Sequence, residues 1–272
     1  MAWCLGATRI QPSSLKRSCF ILGCGRSGTS LTAGLLSDAG YFMGDELYAG
    51  DEGNPKGYFE DREINGINEG LLGQVIPGPQ RSLADKLLGR PVRNPGWFRW
   101  LADLPAATKI PCPAKFADRI QAQVARGPFC FKDPRFCYTL AAWRKYAPDA
   151  AMVGVFRDPA IAAASIVKEA ARSGMMLEGV AIDYSRALRI WRSTYSYALD
   201  VHLPAGGDWL WVHYDQLMDG SGCDAIEKLL GVTVNRDFAD NRLRRTVASA
   251  LIPPEAAALY RRLCDHAGFR GD

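Results

Sequence analysis

The sequence lacks the features that mark several large classes of protein. No apolar stretch reaches the roughly 20 residues that a membrane-spanning helix needs. A weak apolar patch near the N-terminus precedes Lys16 and Arg17, whereas a secretory signal would place basic residues before the patch. No basic run is dense enough to indicate nucleic-acid binding, and the net charge is only +4. We therefore predict a cytoplasmic protein with neither a membrane span nor a nucleic-acid partner.

The cysteines do not form the spacings of a disulfide framework or a zinc site. None of the eight belongs to a C-x-x-C pair, and Cys19 and Cys130 lie in apolar runs. Buried thiols in a reducing compartment are the expected state. The motifs below offer no set of metal ligands, so no metal is expected.

The composition is that of a folded α/β domain. Of the 272 residues, 48% are apolar and 23% are charged, which argues against a disordered chain. Apolar strand patterns alternate with helical ones, and this alternation predicts a three-layer fold with a central parallel sheet flanked by helices. We expect a flexible leader over 1–17 and a single domain over 18–272, with an irregular insertion at about 76–127.

The predicted elements follow from apolar periodicity and from glycine and proline positions. Predicted strands cover about 19–23, 41–43, 129–132, 151–156 and 209–213. Predicted helices cover about 29–39, 61–75, 136–146, 159–172 and 182–199, with further helices beyond Gly222.

A glycine-rich turn, GCGRSGT, lies between the first strand and the first helix. Glycines allow backbone N–H groups to approach an anion, and a helix N-terminus adds partial positive charge. Gly23, Gly28 and Ser30 fit the phosphate-binding pattern of P-loop nucleotide enzymes, but Thr29 occupies the position of its lysine. The turn therefore predicts an anion cradle, with a P-loop small-molecule kinase as the alternative function.

The stretch GCGRSGTSL resembles the 5′-phosphosulfate loop of sulfotransferases that use PAPS (3′-phosphoadenosine 5′-phosphosulfate). In that loop a basic residue lies two positions before the G-T pair, as Arg26 does here. The resemblance implies a sulfuryl transfer that leaves PAP (3′,5′-bisphosphoadenosine). It also implies which residues hold the 5′-phosphosulfate: Arg26, Ser27, Gly28, Thr29 and Ser30.

Three later segments extend the resemblance in the same order along the chain. Arg157, at a predicted strand end, and Ser165, eight residues on, resemble the 3′-phosphate site of sulfotransferases. The segment CFKDPRF resembles the KDP stretch of tyrosylprotein sulfotransferases and their bacterial relatives, which implies that Lys132 contacts the oxygen of the departing phosphate. Tyr214, in WVHYDQL, corresponds to a tyrosine near the cofactor.

The general base is not fixed by these motifs. Small-molecule sulfotransferases use a histidine two residues after the equivalent lysine, and Pro134 occupies that place here. His213 is expected to be structural. Relatives with a carboxylate base favour Glu46, and the shared NPKGYFE segment makes Glu60 the rival. The resemblance thus implies in-line transfer to a hydroxyl or amine with a carboxylate base, while leaving a small molecule, a glycan and a peptide open as the acceptor.

Overall fold

Four parallel strands form the sheet at the centre of the protein, in the order β2-β1-β3-β4. The computed structural model describes residues 16–78, 84, 87–88, 98–173, 180–240 and 251–271. The predicted leader lies almost entirely outside this part of the chain. The strands are β1 (Cys19–Leu22), β2 (Cys130–Lys132), β3 (Ala151–Phe156) and β4 (Trp209–His213).

Helices connect the strands and cover the sheet. The α-helices of the described residues are α1 (Thr29–Leu35), α2 (Arg62–Leu72), α3 (Ala114–Val124), α4 (Phe136–Arg144), α5 (Pro159–Arg172), α6 (Tyr184–Tyr197), α7 (Tyr214–Asp219), α8 (Ser221–Leu230) and α9 (Pro254–Ala267). Short 3-10 turns cover Ser37–Ala39, Arg99–Leu101, Leu203–Ala205 and Arg236–Phe238, and a π-helical turn, Ala198–His202, extends α6.

The alternation of side chains along β1 explains the three layers. Phe20 and Leu22 point to one face and pack with residues of α2, α4, α5, α6 and α9. Cys19 and Ile21 point to the other face and pack with residues of α1 and α8. Because both faces of the strand are apolar and fully buried, helices must cover both, which is typical of parallel sheets. The predicted three-layer α/β fold is confirmed.

One local prediction is wrong. The expected strand at 41–43 is a single bridge between Phe42 and Phe129, because the chain turns away at Gly44, which has a φ of 127°. Within the segment predicted as an insertion at about 76–127, the structure contains the regular helix α3, which buries Phe116 and Ile120 against the core. Residues 79–83, 85–86 and 89–97 of this segment lie outside the described part.

Two further findings concern the described residues alone. Seven cysteines there are free thiols, five of them buried. Of the helices in the described ranges, none has both the length and the apolar character needed to cross a membrane.

Candidate active site

The cations predicted from the motifs gather where β1, β2 and β3 end. In open parallel sheets, ligands bind beyond the carboxyl ends of the strands, where the connections diverge. Two adjoining cavities lie there, and Arg26, Thr29 and Ser30 line both. The site therefore has two compartments that meet at the glycine turn.

The first compartment, here called the basic cavity, has more positive than negative charge. Arg26, Lys56 and Arg157 contribute cations, and Asp240 contributes a carboxylate. Its remaining lining residues are Gly28, Thr29, Ser30, Leu31, Gly53, Asn54, Pro55, Ser165, Tyr214, Met218 and Phe238.

The second compartment, here called the aromatic cavity, has a volume of about 470 Å³. Its rings are Tyr48, Tyr58, Phe98 and Trp100. Its charged or polar residues include Glu60, Lys132 and Arg135. It is of the size that small-molecule sites have in proteins, about 300–1,000 Å³.

The glycine turn has a backbone that only certain residues allow. Gly28 precedes α1 with a φ of 103°, and a Cβ atom there would lie 2.7 Å from the ring of Tyr214. Arg26 adopts a φ of 69°, which is uncommon for a residue with a side chain and is found mainly where surrounding contacts impose it. Tyr195 fixes the start of the turn, because its hydroxyl donates to Val155 O at 2.7 Å and accepts from Cys24 N at 3.1 Å.

Arg26 ties the turn to the surrounding elements. Its Nε donates to Ser165 Oγ at 3.3 Å, and its guanidinium donates to Gly53 O at 2.9 Å. Glu169 lies 3.6 Å from the same guanidinium. The turn, α5 and the loop before α2 are therefore held in one arrangement.

Lys132 lies at the boundary between the two compartments. Its side chain is 1% exposed, and its ammonium donates to Ser30 Oγ at 3.2 Å and to the Glu60 carboxylate. The Glu60 carboxylate is 14% exposed and also accepts from Asn65 Nδ2 at 3.2 Å. A buried cation and a partly buried carboxylate therefore lie side by side next to the glycine turn.

A buried hydrogen-bond network centred on Asp133 supports the pair of Lys132 and Glu60. The fully buried Asp133 carboxylate accepts from Asn65 and Asn68 at 2.9 Å each and from the Arg135 guanidinium at 2.9 Å. Burial raises the pKa of Asp133, and the charge of Arg135 opposes that shift. Burial would lower the pKa of Arg135, but Asp133, Glu69 and Glu60 together hold it above its usual range.

The structure brings together most of the residues predicted for the site. Arg157 and Ser165 both line the basic cavity, and the Arg157 guanidinium lies 4.2 Å from the centre of the Tyr214 ring. Ser27 is fully buried within the turn. The predicted site residues that line one or both cavities are Arg26, Gly28, Thr29, Ser30, Glu60, Lys132, Arg157, Ser165 and Tyr214.

Glu46 lies apart from this group. Its side chain is 74% exposed, and its carboxylate pairs with Arg62 of α2 at 3.8 Å. The backbone explains the difference from Glu60. Asp61, which caps α2, also accepts from Glu46 N at 2.8 Å, and so holds this part of the loop against the start of the helix.

The sequence motifs did not predict Lys56 and Asn65 as residues of the site. Lys56 donates to Phe238 O at 2.6 Å and lines the basic cavity. Lys56 lies within the NPKGYFE segment that singled out Glu60, so the segment itself was the available signal, and Asn65 lies just after it. The lysine could not be placed, because Phe238 is 182 residues away along the chain.

His213 has a structural position. It caps α7 by accepting from Asp215 N at 3.1 Å, and its Nε2 lies 3.1 Å from the Tyr260 hydroxyl. Its ring stacks on Phe269 with centroids 3.8 Å apart. Within the described residues, no cluster of three or more histidine, cysteine, aspartate or glutamate side chains could hold a metal ion.

The parallel sheet, the glycine turn between β1 and α1 and the cations at the strand ends define an α/β protein of the P-loop type. A model of the sulfotransferase family matches residues 19–222, and the chain belongs to that family. The family read from the motifs is thereby confirmed, and it makes the protein a transferase.

Solved structures agree on the fold. The sulfotransferase domain of the Synechococcus PCC 7002 olefin synthase is similar, with a TM-score of 0.50 and 17% identity over 93% of this chain and 98% of that one. The sulfotransferase domain from the curacin biosynthetic pathway gives a TM-score of 0.52 and 14% identity over 95% and 99%. None of the curated proteins matches the chain significantly.

Proposed function

We propose that this protein transfers a sulfuryl group from PAPS to an acceptor hydroxyl, with Glu60 as the general base. The observation that supports this most directly is the position of Lys132, whose ammonium contacts both Ser30 of the glycine turn and the Glu60 carboxylate. A cation and a base thus adjoin at the boundary between a basic and an aromatic compartment. That arrangement fits a reaction between an anionic donor and a hydroxyl compound.

The basic cavity suits the phosphates of PAPS by its charge and its donors. Arg26, Lys56 and Arg157 supply cations, and Ser30 and Ser165 supply hydroxyls. We assign Arg26 and residues 27–30 to the 5′-phosphosulfate, and Arg157 with Ser165 to the 3′-phosphate. The Tyr214 ring packs against Gly28 and forms part of the cavity wall. PAPS, when bound, supplies the activated sulfuryl group, and PAP is the product.

The reaction requires the side chains to handle one proton and one developing charge. The Glu60 carboxylate accepts the proton of the acceptor hydroxyl as its oxygen attacks. Lys132 stabilises the negative charge that develops on the departing phosphate oxygen, as does Arg26. Asn65 and Arg135 hold the Glu60 carboxylate in place, with Arg135 3.8 Å from it. No metal is required for this division of roles.

The free thiols of the described residues suit the cytoplasm, where we place the activity.

Binding of PAP tests the donor assignment directly. We expect calorimetric titration to show binding of PAP and none of ATP-Mg²⁺, and Arg157→Ala to weaken PAP binding by roughly 10- to 100-fold, the usual effect of losing a charged hydrogen bond. Arg262→Ala is the matched control, because Arg262 pairs with Asp200 at the surface. Binding of ATP-Mg²⁺ without PAP would favour the kinase alternative and contradict the proposal.

Turnover should depend on Lys132 far more than PAP binding does. We expect Lys132→Met to lower kcat by roughly 10²- to 10³-fold, the usual effect of removing a group that stabilises transition-state charge. Affinity for PAP should stay close to that of the unaltered protein, since Lys132 lines the aromatic cavity. Release of PAP from PAPS measures the first quantity, and calorimetry measures the second.

The Lys132 substitution also leaves Glu60 without its nearest cation. The double variant Lys132→Met with Glu60→Gln removes that unpaired charge and controls for its effect on PAP affinity; it does not control turnover, because Glu60 is the proposed base. Unchanged turnover in Lys132→Met would contradict the role of this lysine, whatever the behaviour of the double variant.

A further inference from the structure

We infer that the aromatic cavity binds an uncharged phenol of small-molecule size as the sulfuryl acceptor, an inference that rests on the proposed function. Three features of the cavity support it: the balance of its charges, the rings in its wall and the acidity of the hydroxyl that Glu60 would have to deprotonate.

The charges of the aromatic cavity cancel. Three cationic and three anionic side chains line it: Arg26, Lys132, Arg135, Asp51, Glu60 and Glu169. Each already has a partner of its own, as the contacts above show for Arg26, Lys132, Glu60 and Arg135. Arg172 serves the two others, contacting Asp51 at 2.9 Å and Glu169 at 2.6 Å.

A charged acceptor would have to break one of these pairs to find a counter-charge. Leaving a buried charge unpaired is costly. The basic cavity differs, because Lys56 and Arg157 line it in addition to Arg26, which both cavities share, and Asp240 is its one carboxylate. The charge distribution therefore separates an anionic donor in one compartment from a neutral acceptor in the other.

The rings provide flat surfaces beside the reacting groups. Trp100 lies directly against the glycine turn, since a Cβ atom on Gly25 would come within 2.5 Å of its ring. Tyr58 is fixed by its hydroxyl, which donates to Asp51 at 2.9 Å. Phe98 and Tyr48 complete the set of rings. Aromatic side chains favour ring-containing ligands through stacked and edge-to-face contacts.

The chemistry of the base favours a phenol over an aliphatic alcohol. A phenol has an ordinary pKa of about 10, as for tyrosine. An aliphatic hydroxyl is far less acidic and gives up its proton to a carboxylate much less readily. In the proposed step, the phenol oxygen forms a bond to the sulfur of PAPS and the bond between that sulfur and the bridging oxygen breaks. The phenolic proton goes to Glu60, and PAP leaves with the electron pair.

Three probes of similar size separate these properties. Calorimetric titration of the whole chain, with and without saturating PAP, would use 2-naphthol, its saturated counterpart 2-decalol and the anionic 6-hydroxy-2-naphthoate. We expect 2-naphthol to bind at least roughly tenfold more tightly than either of the others, in line with aromatic contacts that 2-decalol cannot make. It should also be sulfated when PAPS is present.

Two substitutions assign the binding to this cavity. Trp100→Ala should weaken 2-naphthol binding roughly tenfold, whereas Trp100→Phe, which keeps a ring, should weaken it less. Affinity for PAP in both variants shows that each is folded, since Trp100 lines the aromatic cavity and not the basic one among the described residues. Phe98→Leu provides a second variant if Trp100→Ala fails to fold.

The outcomes distinguish this inference from the proposed function. Preference for 2-decalol or for the carboxylate would overturn it, as would sulfation of a tyrosine-containing peptide but not of 2-naphthol. PAP binding without any 2-naphthol binding would overturn the inference and leave the donor assignment intact. Absence of PAP binding would overturn the proposed function, and the titration without PAP would still decide whether the cavity binds a phenol.

Discussion

Glu60→Gln should lower kcat by roughly 10²- to 10⁴-fold, the range expected when a general base is removed. The substitution keeps the size of the side chain and its acceptor oxygen toward Asn65. It removes the group that takes the proton from the acceptor hydroxyl. Affinity for PAP should change little, because Glu60 lines the aromatic cavity. The measurement is PAP release from PAPS in the presence of an acceptor, with PAP titration alongside.

Glu46→Gln is the matched comparison, since both carboxylates lie in the loop before α2. Glu46 is 74% exposed and pairs only weakly with Arg62 across 3.8 Å. We expect its substitution to leave kcat close to that of the unaltered protein. A large loss in Glu46→Gln together with a small one in Glu60→Gln would reverse the assignment and restore the base that the sequence favoured.

The two glutamates illustrate what the sequence could predict and what it could not. The donor side could be predicted because its residues are close in sequence. Arg26 to Ser30 form one turn, and Ser165 lies on the helix that begins just after Arg157. A turn and a helix have known geometry, so neighbours in sequence are neighbours in space. The strand ends then follow from the alternation of β and α elements.

The irregular loop before α2 lines both cavities and supplies the proposed base, and distant contacts set its path. Asp61 holds the backbone of Glu46, and Gly53 O accepts from Arg26. Lys56 reaches Phe238. Each contact joins residues that no periodic pattern relates, so two candidate carboxylates in the same loop could not be ranked by spacing. The sequence shows a tryptophan at position 100, but it could not predict that this ring contacts Gly25.

The buried network around Asp133, which supports Glu60, should also contribute strongly to the free energy of unfolding. Asp133 is fully buried, and its carboxylate accepts from Asn65, Asn68 and both the backbone and the guanidinium of Arg135. Asp133→Ala leaves these donors without their common acceptor and Arg135 without one of its anions. We expect a loss of about 3–5 kcal/mol in the free energy of unfolding, the usual effect of breaking a buried ion pair. Chemical denaturation measures it.

A surface carboxylate supplies the control. Asp200 pairs with Arg262 at 2.7 Å, but the two side chains are 43% and 51% exposed, so Asp200→Ala should lose about 1 kcal/mol or less. Equal losses in the two variants would contradict the importance of the buried network. Burial raises the pKa of Asp133, so the ionised carboxylate is itself costly to bury. The expected loss therefore measures the donors stranded by the substitution rather than a net gain from the ion pair.

The same network connects stability to catalysis. Asn65 donates to both Asp133 and Glu60, at 2.9 Å and 3.2 Å, so it links the buried anion to the proposed base. Asp133→Asn keeps the volume but turns an amide toward groups that are donors themselves. We expect it to be more stable than Asp133→Ala and still impaired in kcat, with affinity for PAP preserved. A variant that regained stability and full turnover together would show that Asp133 only supports the fold and does not position Glu60.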